Sequence, residues 1–206
     1  MPYVKQIVAH IDAALKATAF ADARFAGSRF AGAVQQVPIR IDSDNRMIIV
    51  PATKTNAGEV TPVLPDDRFP LTTYHRLVSL TGAPAPKNQQ FGSNNDTVTR
   101  TCEMVLVVSG FTNKLNLDAL DLEGMIDAAF PTALDKGVQT ALGLQRCDIA
   151  YGGARFESWK VYNEEYIGDG VLLKPHQLLL ACRYKIESSY RKRCFNPCGC
   201  NEPNPS

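Results

Sequence analysis

Two long segments alternate apolar and polar side chains with a period of two, and this constrains the chain more than any other feature. Over 97–108, Val98, Cys102, Met104, Leu106 and Val108 share one face, interrupted by Arg100; Thr97, Thr99, Thr101 and Glu103 share the other. Over 178–187, Leu178, Leu180, Cys182, Tyr184 and Ile186 share a face. The opposite face, Leu179, Ala181, Arg183, Lys185 and Glu187, becomes charged toward its end. Successive side chains of a strand point to opposite sides of a sheet, so each segment reads as a long strand with one buried face.

A sheet of that kind needs an apolar layer, and two segments supply one. Val4, Ile7, Val8, Ile11 and Leu15 recur at helical spacing, with Lys5, Gln6, Asp12 and Lys16 assigned to the other faces. This predicts an amphipathic helix running toward Ala19. Ala119, Leu122, Ile126, Ala129 and Phe130 form a second stripe. Asn116 or Asp118 caps that helix, Asp118, Asp121 and Glu123 suit its positive end, and Pro131 ends or kinks it. Thr132–Leu142 resumes as a further helical segment stopped by Gly143.

Val37–Ile41 and Arg46–Val50 flank Asp42-Ser43-Asp44-Asn45, which predicts a hairpin. Pro38 cannot donate a ladder hydrogen bond, which places it on an open edge. Cys147, Ile149 and Tyr151 alternate, and Gly152-Gly153 reads as a turn returning the chain over Ala154–Tyr162. Residues 20–36, with Phe20, Phe25 and Phe30 five apart, read as an ordered loop anchored by its aromatics. Leu71–Leu80 fits a strand or a short helix. Two long loops are expected: 51–70, holding four prolines, and 82–96, rich in Pro, Gly, Asn and Gln. Strands grouped in hairpins imply an α+β fold: a mainly antiparallel sheet, an N-terminal and a central helix on one face, and long loops. The chain reads as a single domain over 1–190, with a Cys/Pro-rich tail over 191–206.

The chemistry is sparse. With 22 Lys+Arg against 21 Asp+Glu over 206 residues, the net charge is +1, which is not the basic excess of a chain living on nucleic acid. No stretch of about 18 apolar residues suggests a membrane span. The first residues lack the pattern of a secretory signal, so a soluble protein made in the cytoplasm is expected. No phosphate-binding glycine loop, Gly-x-Ser-x-Gly elbow or His-Glu-x-x-His pair occurs. His10, His75 and His176 are read as surface or hydrogen-bonded structural residues. A triad through His75 stays open, with nothing pointing to it. Glu164-Glu165 and Asp66-Asp67 read as solvated turns. No cofactor is expected.

Cys102, Cys147 and Cys182 fall on apolar strand faces and read as small buried thiols. Cys194, Cys198 and Cys200, spaced Cx3CxC, are the candidate metal ligands; a tail disulfide and free thiols are the alternatives.

The strand ending Val105-Leu106-Val107-Val108, the helix with Leu122, Ile126 and Phe130, the pair containing Phe156–Tyr162 and the last strand Leu180–Ile186 form a familiar layout with the N-terminal helix. Over residues 3–20 and 97–188 the chain resembles the tail-terminator and tail-completion proteins of the bacteriophage neck. The resemblance implies a virion subunit, assembled in the host cytoplasm into a homomeric ring. It would meet other neck and tail proteins, brush DNA in the ring lumen, bind no membrane and have no catalytic site. Ile39, Ile41, Ile48, Ile49 and Phe91 are the candidate interface residues. The competing classes are a small enzyme with a pocket between helix and sheet, and an interaction module with a metal-binding tail.

Overall fold

The N-terminal stripe forms the helix its spacing predicts. The computed structural model describes residues 2–40, 47–55, 58–63, 66, 68–81, 97–156 and 176–191. Helix α1 spans Pro2–Ala17, and Ile7, Val8, Ile11 and Leu15 on its inner side are fully buried. Asp12 departs from expectation: it too is buried. It stands four residues after Val8 and three before Leu15, so helical periodicity carries it into the apolar stripe.

A single 3-10 turn, Ala23–Phe25, is capped by the Asp22 carboxylate, which accepts from the Arg24 N–H. Among the described residues seven strands follow with three further helices: β1 (Arg29–Arg40), β2 (Met47–Lys54), β3 (Val60–Pro62), β4 (Leu71–Thr81), β5 (Thr97–Phe111), α2 (Thr112–Leu115), α3 (Ala119–Ala129), α4 (Lys136–Ala141), β6 (Arg146–Phe156) and β7 (Gln177–Arg191). They form one sheet in the order β3-β2-β1-β4-β5-β7-β6. Every pairing is antiparallel except β1 with β4. The fold is α+β, with α1 and α3 packed against one face.

Three sequence expectations need correction. Residues 20–36 are not all loop, because β1 starts at Arg29. A bulge at Gly32 (φ +66°) puts Phe30 and Ala33 toward one core and Ala31 and Val34 toward the other, which hides the period of two. The aromatic anchor stands: Phe20 packs on Phe25 and Phe30 at 5.1 and 5.7 Å between ring centres. The excursion 51–70 contains the end of β2 and all of β3. Gly152-Gly153 does not reverse the chain. It is a bulge inside a continuous β6, with Gly153 at φ +89° and a register shift between Tyr151 and Ala154. Leu71–Leu80, open between helix and strand, is β4. The expected turn over 42–45, the loop over 82–96 and the tail cysteines lie outside the described residues.

Local chemistry fixes the helix starts. Asp118 and Asp121 form a reciprocal capping box at the start of α3, and Asp135 accepts from the N–H groups of Gly137 and Val138 to start α4.

The sheet buries both faces over part of its length. On the helix side, Cys102, Met104, Leu106, Val108, Leu180, Cys182, Tyr184 and Ile186 join the inner residues of α1 and α3. On the second side, Val105, Val107, Leu179, Ala181 and Tyr74 pack with Val34 and Val63. Because β2 and β1 lie between β3 and β4 in the strand order, the chain leaving β3 must cross both to reach β4. Val63, at the start of that crossing, is fully buried in the second cluster.

Truncating the α1 stripe tests the core directly. Ile11→Ala is expected to lower the unfolding free energy by about 2–5 kcal/mol in urea denaturation, as buried Ile truncations do. The three strand cysteines are buried, and burial pushes the Cys147 thiol up to about 11. Thiolate being the reactive form, Cys102, Cys147 and Cys182 are expected to stay unlabelled by iodoacetamide at pH 8 until the chain is unfolded, as read by peptide mass spectrometry.

Candidate functional site

A chain of buried polar groups runs from α1 through β4 to β7. His75 is 0% exposed, and Asp12 and Tyr184 are buried on either side of it. His75 Nε2 lies 3.0 Å from Asp12 Oδ1, and His75 Nδ1 lies 2.7 Å from the Tyr184 hydroxyl. A carboxylate only accepts, so Nε2–H donates to Asp12 and the Tyr184 O–H donates to Nδ1. Drawn this way, both ring nitrogens of His75 have a partner.

The chain continues through aromatic contacts. Tyr184 meets Phe130 at 5.2 Å, Phe130 stacks on Tyr151 at 4.2 Å, and the Tyr151 hydroxyl donates to Asp127 of α3. Asp127 also accepts from the Ala154 N–H at 3.0 Å, just past the β6 bulge. Burial, followed by the Asp12 charge, holds the Tyr184 hydroxyl well above its ordinary pKa. Both nitrogens of His75 are occupied and Tyr184 is sealed. The arrangement therefore pins α1, β4 and β7 together.

Sequence reading missed this chain. The signal was there: an acid inside an apolar helical stripe and a tyrosine inside an apolar strand face. Of the other histidines, His10 is half-buried on α1. His176 is exposed, and its carbonyl accepts from the Thr112 N–H at 2.8 Å. Asp66 accepts from the Arg68 backbone and side chain in a tight turn. Asp67, Glu164, Glu165, Ile41, Phe91, Cys194, Cys198 and Cys200 lie outside the described residues. Among the described residues, no group of three or more His, Cys, Asp or Glu side chains could hold a metal ion.

Beside the polar chain the sheet opens. β1 pairs with β4 from Arg29 to Val34 and stops there, at Val34–Arg76. From Gln35 to Arg40 it pairs with β2. Pro38 pairs with Ile49, and Ile39 with Ile48, in this outer half. Among the described residues, the half of β1 carrying Pro38 thus has no ladder to the end of β4, which leaves a seam between them. Along β4 the seam leaves Leu77, Val78 and Leu80 exposed by 46, 42 and 44%. On the helix side it forms a cleft of about 230 Å³ between the first turn of α1 (Val4, Lys5), Ala33, Leu77, Leu80 and Met104, with His75 also in its lining.

A second groove of about 300 Å³ crosses the opposite face between Val78 and the β6 bulge. Its rim carries Arg183 and the Glu103–Lys185 ion pair at 2.9 Å, and Ser79 donates to Glu103. Lys185 and then Ser79 hold the Glu103 carboxyl below its usual range, and Glu103 raises Lys185. Both signs of charge share this rim.

The buried chain is open to a direct test. Tyr184→Phe removes the donor to Nδ1, and Asp12→Ala strands the Nε2–H. Each is expected to destabilise by about 1–3 kcal/mol, the penalty for a buried polar group left unpaired. The double variant is expected to lose less than the sum, in a double-mutant cycle read by chemical denaturation.

No protein-family model matches this chain, and no curated protein matches it in sequence.

Proposed function

We propose that the chain is a structural subunit of a tailed-phage neck, assembling into a homomeric ring that terminates the tail or joins it to the head. The observation that supports self-assembly is the seam between β1 and β4. A sheet normally covers or pairs its edges, because unpaired N–H and C=O groups invite another chain. Among the described residues the β1–β4 ladder ends at Val34–Arg76 inside the strand order, beside three half-exposed apolar side chains. Exposed apolar surface next to an open edge fits a site completed by another subunit. The β1–β2 arm, with Ile39, Ile48 and Ile49 on its strands, is the natural element to reach a neighbour.

The neck assignment rests on layout. An N-terminal helix and a central helix lie on one face of a sheet whose core is two long antiparallel strands, as in the family the sequence resembles. A ring subunit acts through contacts with its neighbours, and the exposed apolar residues along β4 are the surface offered for them. Disrupting the gene in its parent phage is expected to give filled heads separate from tails, or tails of uncontrolled length, by negative-stain electron microscopy. Normal joined particles would overturn the reading.

A further inference from the structure

We propose that the cleft beside the seam receives the first turn of α3 from a second copy of this chain, with Leu120 as the inserted side chain. The inference rests on the ring reading and names the contact that would build it.

Three observations carry it. The first is a knob without a hole. Leu120 is 76% exposed, against 42–46% for the other large apolar side chains that face solvent among the described residues. Gly124 and Ala128 follow it at helical spacing, and Gly124 has open space where a Cβ would stand. Together they form an apolar ridge on the outer side of α3, while Leu122 and Ile126 fill the core on the inner side. The second is a hole without a knob: the apolar cleft of about 230 Å³ bounded by Val4, Leu77 and Leu80.

The third is charge. The charged residues of α3 and its cap, Asp118, Asp121, Glu123 and Asp127, are all acidic and none is buried. The charged residues that α1 presents to solvent, Lys5 and Lys16, are both basic, because its single acid, Asp12, is turned inward. Lys5 lines the cleft itself. An acidic helix end therefore meets a basic cleft margin, which sets register and suppresses the wrong pairing of like helices.

The placement suits a closed assembly. α1 packs against β1 and α3 against β6 and β7, and β4, β5 and β7 separate β1 from β6. α1 and α3 touch on the helix face, but knob and cleft are formed by different residues and are two distinct patches of one subunit. A contact between two different surfaces is heterologous: it leaves each subunit with one used and one free patch, and it closes into a ring when the rotation per step allows.

The test uses the full chain and two variants, each measured by mass photometry with circular dichroism as the check on folding. Leu120→Asp lies on an exposed helix surface and Leu80→Asp on the cleft wall. Each alone is expected to stay folded and to weaken assembly by at least about 30-fold, the loss of one interface hot spot. Mixed one to one, they are expected to form a dimer that grows no further, since the intact cleft of one still accepts the intact knob of the other. Gly124→Gln adds bulk to the ridge while improving helix propensity, and is expected to block assembly with a monomer at least as heat-stable as the parent. If the parent assembles and Leu120→Asp assembles equally well, the contact is wrong and the ring reading stands. If parent and variants are all monomeric at every concentration, the ring reading falls and the contact falls with it.

Discussion

The hydrogen-bond chain Asp12–His75–Tyr184 decides how the two layers of this protein fit. A buried carboxylate is tolerated only when its lone pairs are met, so Asp12 fixes α1 to one place along β4 and cannot slide. The Gly32 bulge lies against the same carboxylate: a Cβ added there would stand 4.0 Å from Asp12 Oδ2. Helix position, bulge position and the start of the β1–β4 pairing are therefore set at one point. From that point Tyr184, Phe130 and Tyr151 carry the constraint across the helix face to Asp127 and the second bulge. Replacing the chain by apolar groups of similar shape would cost little energy, but it would remove what specifies the register.

Two bulges then shape the sheet in opposite ways. At Gly32 the bulge turns β1 out of line, so that only the six residues from Arg29 to Val34 stay beside β4 and the outer half follows β2. At Gly152-Gly153 the bulge keeps β6 on β7 while shifting the register by one residue, two glycines facing the single Arg183. A Cβ at Gly152 would stand 3.0 Å from the Arg183 carbonyl oxygen, a tight contact, so the close approach of β6 to β7 there favours glycine. One bulge opens a seam and the other preserves an edge strand.

The sequence was most readable where a single periodicity acts alone. The α1 stripe, the capping acids of α3, the stop at Gly143 (φ +68°) and the alternation of β5 and β7 all appear as their residues predict. It was least readable where two patterns overlap. The bulge in β1 breaks a strand into short stretches that resemble a loop, and the paired glycines of β6 have the composition of a turn. Asp12 was placed on the solvent side because its partner sits 63 residues away, and no local pattern encodes a contact of that range. The second apolar cluster was hidden for a related reason. Val105 and Val107 look like an ordinary apolar run until the crossing from β3 brings Val63 onto that face.

A net charge of +1 suggests a chain with little electrostatic character, and for this fold that inference fails. Turning Asp12 inward removes the acid from the surface of α1 and leaves its margin basic. The capping requirement of α3 concentrates acids on the other helix, since an Asp at the cap and another at the third helical position satisfy the free N–H groups there. Both charge patterns thus follow from local structural needs, one from a buried hydrogen bond and one from a helix start. The two lysines of α1 and the four acids of α3 and its cap stand on different helices, so the near-zero net charge of the whole chain hides a local separation that gives the subunit a direction. A sheet with an open seam beside its basic helix and an apolar ridge on its acidic helix is biased toward head-to-tail contact over the symmetric pairing of like surfaces.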